Sequence, residues 1–123
     1  MDKSIKSVED LQVWQKAHAV TLEIYTVTAQ FPSNEKYALA DQMRRAASSI
    51  GANLFEGSYR TGTNEFRYFA NIARGSAGEV KYFLLLSRDL NYITEEKYKF
   101  LNQELDSICK MLYGLIKSLN ANS

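Results

Sequence analysis

The chain has 123 residues, 46% of them hydrophobic, and a net charge of +1 at pH 7. That length implies a single domain over residues 1–123 with a real core, and the charge balance excludes a bulk polycation that binds nucleic acid by charge alone. The lone cysteine, Cys109, excludes an internal disulfide and a cysteine-built metal site.

Ser7 followed by Asp10 reads as a helix start, and helix 1 is expected to run to about Gln30. Leu11, Trp14, His18, Leu22, Tyr25 and Ala29 share one face and are its expected core stripe. Phe31-Pro32-Ser33-Asn34 breaks the pattern, with Ser33 or Asn34 as the next cap. Helix 2 spans about Glu35 to Phe55, with an apolar face of Leu39 or Ala40, Met43, Ala47, Ile50 and Leu54. Its many small residues allow close approach by a neighbouring helix, although Gly51 costs about 1 kcal/mol in a helix interior. Gly57 through Thr63 is a turn whose glycines are expected to supply positive backbone angles.

Thr63 or Asn64 caps helix 3, which runs from about Glu65 to Leu90 with the stripe Phe66, Phe69, Ala73, Ser76, Val80, Phe83. Thr94 caps helix 4, whose Tyr98, Leu101, Leu105, Ile108, Leu112, Leu115 and Leu119 alternate strictly in three- and four-residue steps. Short connections between long rods predict an all-α, antiparallel, up-down-up-down four-helix bundle. No segment reads as a strand.

Two surface features exceed what a monomeric bundle needs. Tyr82-Phe83-Leu84-Leu85-Leu86 wraps helix 3 in apolar side chains, and Phe100, Met111, Tyr113 and Ile116 lie off the main stripe of helix 4. Either these residues are half-buried at the bundle's flanks, or they mark a homo-oligomer interface including Lys81, Tyr82, Leu84, Leu85, Leu86 and Arg88. The second feature is charge. All six arginines lie between Arg44 and Arg88, and helix 3 repeats a cation every seventh residue: Arg60, Arg67, Arg74, Lys81, Arg88. The last four have no acid three or four positions away, so something beyond their own helix must face them. An acid on another helix or subunit satisfies that pattern, and so does an outside oxygen ligand such as phosphate. Arg44 and Arg45 join Arg60, Arg67 and Arg74 as candidate contacts; Asp41 is placed to pair with one of the first two.

Catalytic and metal chemistry find little support. A di-iron bundle needs Glu-x-x-His pairs, whereas His18 is the only histidine and Gln15 precedes it. His18 is expected as a packed or boundary residue, and Cys109 as an inert buried thiol. The Gly57–Gly62 spacing matches a phosphate-binding loop but lacks the following lysine and the preceding strand. Asn53, Glu56 and Arg60 form either a polar knot at the bundle's end or, more simply, a helical Glu56–Arg60 ion pair. No cofactor is expected. No run approaches the roughly 20 apolar residues of a membrane span, and Met1-Asp2-Lys3-Ser4 holds no signal core; a cytoplasmic location with no membrane partner is expected.

The run Leu39-x-x-Gln42-Met43-Arg44-Arg45-Ala46-Ala47-x-Ser49-Ile50-x-Ala52-Asn53-Leu54-x-Glu56-Gly57 resembles the signature of the bacterial four helix bundle protein family, also called the 23S rRNA intervening-sequence proteins. Val8-Glu9-Asp10-Leu11-x-Val13-Trp14-Gln15-Lys16-Ala17 looks like its opening motif, and Glu65-Phe66-x-x-Phe69-x-x-Ile72-Ala73-Arg74-Gly75-Ser76-x-x-Glu79 like its third-helix motif. Proline is common in that family where this chain has Gly51, and a small residue where it has Phe55. The resemblance implies a bundle assembled as a homo-pentameric ring, with no established catalytic activity. Family genes often sit within 23S rRNA intervening sequences, and a related branch assists a retroelement reverse transcriptase together with nucleic acid. Two functions follow as expectations: an oligomeric bundle that binds structured RNA or DNA through arginines of helices 2 and 3, or a scaffold for a protein partner with no nucleic-acid role.

Overall fold

The computed structural model describes residues 7–121; the opening Met1-Asp2-Lys3-Ser4 lies outside them. Four helices form: α1 (Gln12–Thr28), α2 (Leu39–Ser58), α3 (Thr63–Asp89) and α4 (Glu95–Ala121). No strand forms among the described residues. α2 packs on α1 and α3, and α4 packs on α3 and α1, so each helix has two neighbours around a common centre. That centre is one continuous apolar cluster, from Val13 and Ile24 through Met43, Ile50 and Leu84 to Leu101 and Leu112.

The helix ends differ from expectation where local hydrogen bonding intervenes. The Ser7 amide donates to Asp10 Oδ2 at 3.2 Å, but Val8–Asp10 is only a short 3-10 turn. Leu11 is extended (ψ 128°), so α1 starts at Gln12. Ser33–Glu35 is another 3-10 turn, and α2 begins at Leu39, four residues later than the sequence pattern indicated. There Glu35 accepts from the Leu39 amide (3.4 Å) and the Tyr92 hydroxyl (2.8 Å). Gly62, not Thr63 or Asn64, stands at the α3 N-cap. Thr94 caps α4 as expected, its hydroxyl accepting from the Lys97 amide at 3.1 Å.

The core faces of α2 and α4 match the sequence stripes. Leu39, Ala40, Met43, Ala47, Ile50 and Leu54 are buried, as are Leu101, Leu105, Ile108 and Leu112. α1 does not match. Its buried face is Val13, Ala17, Val20, Thr21, Ile24 and Thr28, while Leu22 and Tyr25 are 57% and 45% exposed and His18 is exposed. The physical reason is that both threonines satisfy their hydroxyls inside the core. Thr21 Oγ1 donates toward the carbonyls of Ala17 (2.8 Å) and Ala47 (3.0 Å), and Thr28 Oγ1 to Ile24 (2.6 Å). A polar group with its bond made is tolerated inside, and the small stripe draws α1 close to α2.

The glycines of the second turn do not supply positive angles; no glycine does. Gly57 instead lies buried within α2, where an added Cβ would come 2.9 Å from Phe69 Cβ and 3.0 Å from Phe66 Cδ1. It permits close contact between α2 and α3. Asn91, at φ 63°, makes the left-handed turn between α3 and α4.

Candidate functional site

Four cations of the row, Arg67, Arg74, Lys81 and Arg88, face α4 of the same chain, whereas Arg60 lies in the turn before α3 and not on that helix. Lys81 pairs with Asp106 across the helix boundary. Arg88 binds Asp89 (3.0 Å) and lies 4.5 Å over the Tyr98 ring. Arg60 is held at the other end by Glu56 (2.6 Å) and Glu65 (3.9 Å), over Phe69. Between these ends the partners are different. Arg67 Nη1 donates to Asn120 Oδ1 at 2.9 Å, and Arg74 Nε donates to the Cys109 carbonyl at 3.1 Å. The Arg74 guanidinium also stacks 5.4 Å from the Tyr113 ring, which Lys117 approaches from 5.6 Å.

This stretch of the seam has a charge character of its own. Residues 66–78 of α3 and 107–121 of α4 contain Arg67, Arg74, Lys110 and Lys117 and no aspartate or glutamate. Arg74, Lys110 and Lys117 are exposed and make no ion pair among the described residues. Exposed Tyr113 and Tyr68 lie on the same two helices, and the Gly78 and Gly114 backbones are uncovered, with nothing within 4 Å of an added Cβ. Such a surface suits a flexible polyanion: cations meet phosphates, and two bare helix backbones let it approach.

The other expected site residues disperse. Arg44 clamps the end of α1 through Thr28 Oγ1 (2.8 Å), the Tyr25 carbonyl (3.2 Å) and the Tyr25 ring (4.7 Å). Arg45 is the arginine that Asp41 pairs with, at 3.0 Å. Both therefore stand away from the α3–α4 seam. The polar knot does not assemble: Asn53 Nδ2 donates to Ser49 (2.8 Å to the carbonyl and to Oγ), Ser49 bonds Ser76 (3.0 Å), and Glu56 stays with Arg60. Within the segment expected at a subunit interface, Leu84 is fully buried in its own chain and is corrected to a core residue. Leu85 and Leu86 are half-buried and Tyr82 is 57% exposed, whereas Lys81 and Arg88 are engaged within the chain. The α4 cations of the basic stretch, Lys110 and Lys117, leave no mark in the composition of helix 4, which is charge-balanced, and the sequence marks Tyr113 only as an apolar residue off the main stripe. The available signal was order: its acids, Glu95, Glu96, Glu104 and Asp106, all precede residue 107.

Cys109 lies beneath Arg74. Burial raises its thiol pKa, outweighing the lowering by Arg74 and Lys81; Asp106 adds to the rise. No group of three or more potential metal ligands occurs among the described residues. On the opposite side, α1 and α2 enclose an apolar groove of about 370 Å³ lined by Trp14, His18, Leu22, Tyr25, Ala52 and Phe55. Trp14 stacks on His18 (4.9 Å, 9° between planes) and meets Phe55 edge-on at 5.4 Å. Gly51 lets the indole lie against α2; a Cβ there would come 3.1 Å from Trp14 Nε1, a buried donor with no hydrogen-bond partner among the described residues. Both positions that depart from the resembled signature, Gly51 and Phe55, thus flank Trp14.

The family description that matches, 23S rRNA-intervening sequence protein, spans residues 9–114. The chain belongs to the 23S rRNA-intervening sequence protein family. A similar solved structure is that of a protein with unknown function from the S23 ribosomal protein family of Bacteroides thetaiotaomicron. It is 30% identical to this chain with a TM-score of 0.79, over 85% of this chain and 95% of that one. No curated relative matches. The match includes Arg67, Arg74, Lys110 and Tyr113, and Lys117 lies just beyond it.

Proposed function

We propose that this family member is a non-catalytic cytoplasmic protein that binds structured nucleic acid, RNA foremost, as a homo-oligomeric ring of up-down-up-down bundles. The observation that carries the reading is the acid-free cluster Arg74, Lys110 and Lys117, joined by Arg67, on a chain with a net charge of only +1. Segregated charge of this kind on a near-neutral protein favours a local polyanion contact. Contacts between α1 and α4 whose residue numbers run in opposite directions, Lys16–Glu104 with Lys97–Glu23, support the antiparallel reading. No described helix is long and apolar enough to cross a membrane. Binding through phosphates weakens steeply with salt, by a log–log slope of about −0.7 to −0.9 per neutralised phosphate. A ring multiplies a weak contact by presenting several copies of it.

The test is fluorescence anisotropy with an RNA hairpin and a DNA duplex of equal length at low and high salt. An Arg74→Glu, Lys117→Glu double variant should weaken RNA binding by at least ~30-fold at low salt without changing its oligomeric mass. Unchanged RNA affinity in that variant overturns the reading. The apolar α1–α2 groove favours a second reading, a protein-binding scaffold, which predicts no salt-sensitive RNA retention in the wild type.

A further inference from the structure

Tyr113 stands in the middle of the acid-free stretch of the seam with its ring open to solution. It is 52% exposed, and its hydroxyl makes no hydrogen bond among the described residues. Lys110 lies one helical turn before it and Lys117 one turn after, so both share its face of α4. Arg74 reaches across from α3. Its Nε donates to the Cys109 carbonyl at 3.1 Å, one turn before Tyr113, and its guanidinium lies 5.4 Å from the tyrosine ring. The Lys117 ammonium is 5.6 Å from the same ring. No other ring among the described residues is met by two cations. The terminal nitrogens of Arg74 make no hydrogen bond among the described residues and are left for an outside oxygen.

A contact made by charge alone has no use for this ring. A continuous duplex keeps its base faces stacked inside, and the deep, narrow major groove of A-form RNA excludes side chains. Such a duplex meets Arg74, Lys110 and Lys117 through its phosphates and leaves Tyr113 idle. An unpaired nucleotide offers a phosphate and a bare base face together, and aromatic rings and guanidinium planes are the surfaces on which such bases stack. The uncovered Gly114 backbone next to the ring leaves room for the approach. Tyr37 differs. It is 85% exposed with Lys36 5.3 Å from its ring, but Glu35 stands two residues before it and no second cation joins.

We propose that Tyr113 stacks an unpaired base, so that the ligand is RNA with bulged or looped nucleotides and not a continuous duplex. Arg74, held by its bond to the backbone, stays at the ring. Lys117, a flexible point charge, yields its place to the base and moves onto a flanking phosphate, with Lys110 serving the other side. Every base has a π-face, so the selection is for unpaired nucleotides and not for a sequence. The inference rests on the nucleic-acid contact in the proposed function.

The experiment compares a continuous RNA duplex with the same duplex carrying a short bulge of unpaired nucleotides, by fluorescence anisotropy at low salt. Wild type should bind the bulged duplex at least ~5-fold more tightly. Tyr113→Leu keeps an apolar side chain without a π-face. It should bring the two probes to within ~2-fold of each other by weakening the bulged one alone, with the salt slope unchanged. Tyr113→Phe keeps the ring and should keep the preference, as should Tyr37→Ala. The Arg74→Glu, Lys117→Glu variant instead weakens both probes and flattens the salt slope. Equal wild-type affinity for the two probes, or a preference that survives Tyr113→Leu, overturns the stacking and leaves the phosphate contact standing. Equal weakening of both probes by Tyr113→Leu makes the ring a structural support and overturns the stacking as well. So does a preference lost in Tyr37→Ala, which would assign it to exposed tyrosines at large. A wild type that holds neither probe at low salt overturns the stacking and the nucleic-acid contact together.

Discussion

The two halves of the α3–α4 seam carry cations at the same spacing and spend them differently. Toward the α3 C-terminus, Lys81 and Arg88 each meet a carboxylate, Asp106 and Asp89. Toward the N-terminus, Arg74 meets a backbone carbonyl and a tyrosine ring, with Lys110 and Lys117 nearby on the facing helix. Arg88 takes its acid from α3 itself, but the row on α3 does not distinguish Lys81 from Arg74; the order of charges on α4 does. Its acids fill its first half and leave the second to lysine, so one half of the seam is internally neutralised and the other keeps its charge for solution. Seven-residue periodicity therefore identifies a seam, while the facing helix determines whether the seam is structural or available.

The largest effect should come from disturbing the frame that sets the two halves. Gly57 is where α2 and α3 touch, close to the start of the row. Gly57→Ala gains helix propensity of about 1 kcal/mol but forces a Cβ onto Phe69, whose own Cβ is fixed to its backbone. The net expectation is a loss of roughly 1–2 kcal/mol in urea denaturation, with faster amide exchange at the Arg60–Arg74 end than at Lys81–Arg88. Gly114→Ala, in open space, should stabilise by about 0.5–1 kcal/mol. If both changes stabilise, the close contact at Gly57 is not what holds α3.

Next in size is a direct exchange of character between the halves. Lys110→Glu gives the second half an acid like Asp106 and should weaken RNA binding about 10-fold at low salt. Asp106→Asn removes the acid from the first half, releases Lys81, and should tighten RNA binding about 2–3-fold. Equal and unaltered affinity in both variants would show that the halves do not differ in the way their charges indicate. The Lys81–Asp106 pair is half-exposed, so its coupling in a double-mutant cycle should be only about 0.2–1 kcal/mol.

How far these features can be read without coordinates depends on whether a residue's role is set by its own helix. The α4 stripe from Leu101 to Leu112 is apolar at every core position in unbroken three- and four-residue steps, so its periodicity names the buried face unaided even with Phe100, Met111 and Tyr113 beside it. α1 offers two candidate faces. The larger side chains, Trp14, Leu22 and Tyr25, outvote Ala17, Thr21 and Thr28 in any hydrophobicity count, yet the second set is buried. Thr21 depends on the Ala47 carbonyl of α2, a partner invisible to a pattern read along one helix. Leu84 fails the same way: a run of five apolar residues shows excess but not which member points inward. At the seam, the cations of α3 were visible as a row. Their division into paired and available sets required knowing that Asp106, and not Lys110, lies opposite Lys81.

Cys109 sits between the halves and reports on both, with the smallest expected effect. Burial dominates and raises its thiol pKa, Arg74 and Lys81 each pull it down, and Asp106 pushes it up. A thiol raised above its usual pKa of about 8.5 stays protonated at pH 8, so Cys109 should react with a disulfide reagent several-fold more slowly than a free cysteine. Arg74→Gln should slow it further and Asp106→Asn should speed it, at unchanged thermal stability below pH 8. The linkage has a definite sign. A folded-state pKa above the unfolded one means the folded chain holds the proton longer, so the associated stability is intact below about 8.5 and is lost as pH rises through the folded value. A Cys109→Ser comparison isolates that loss in the melting temperature measured from pH 8 to 10. If wild type and Cys109→Ser lose stability in parallel over that range, the thiol is not held in the protonated state, and the Cys109 site between Arg74 and Lys81 is more open to water than its burial implies.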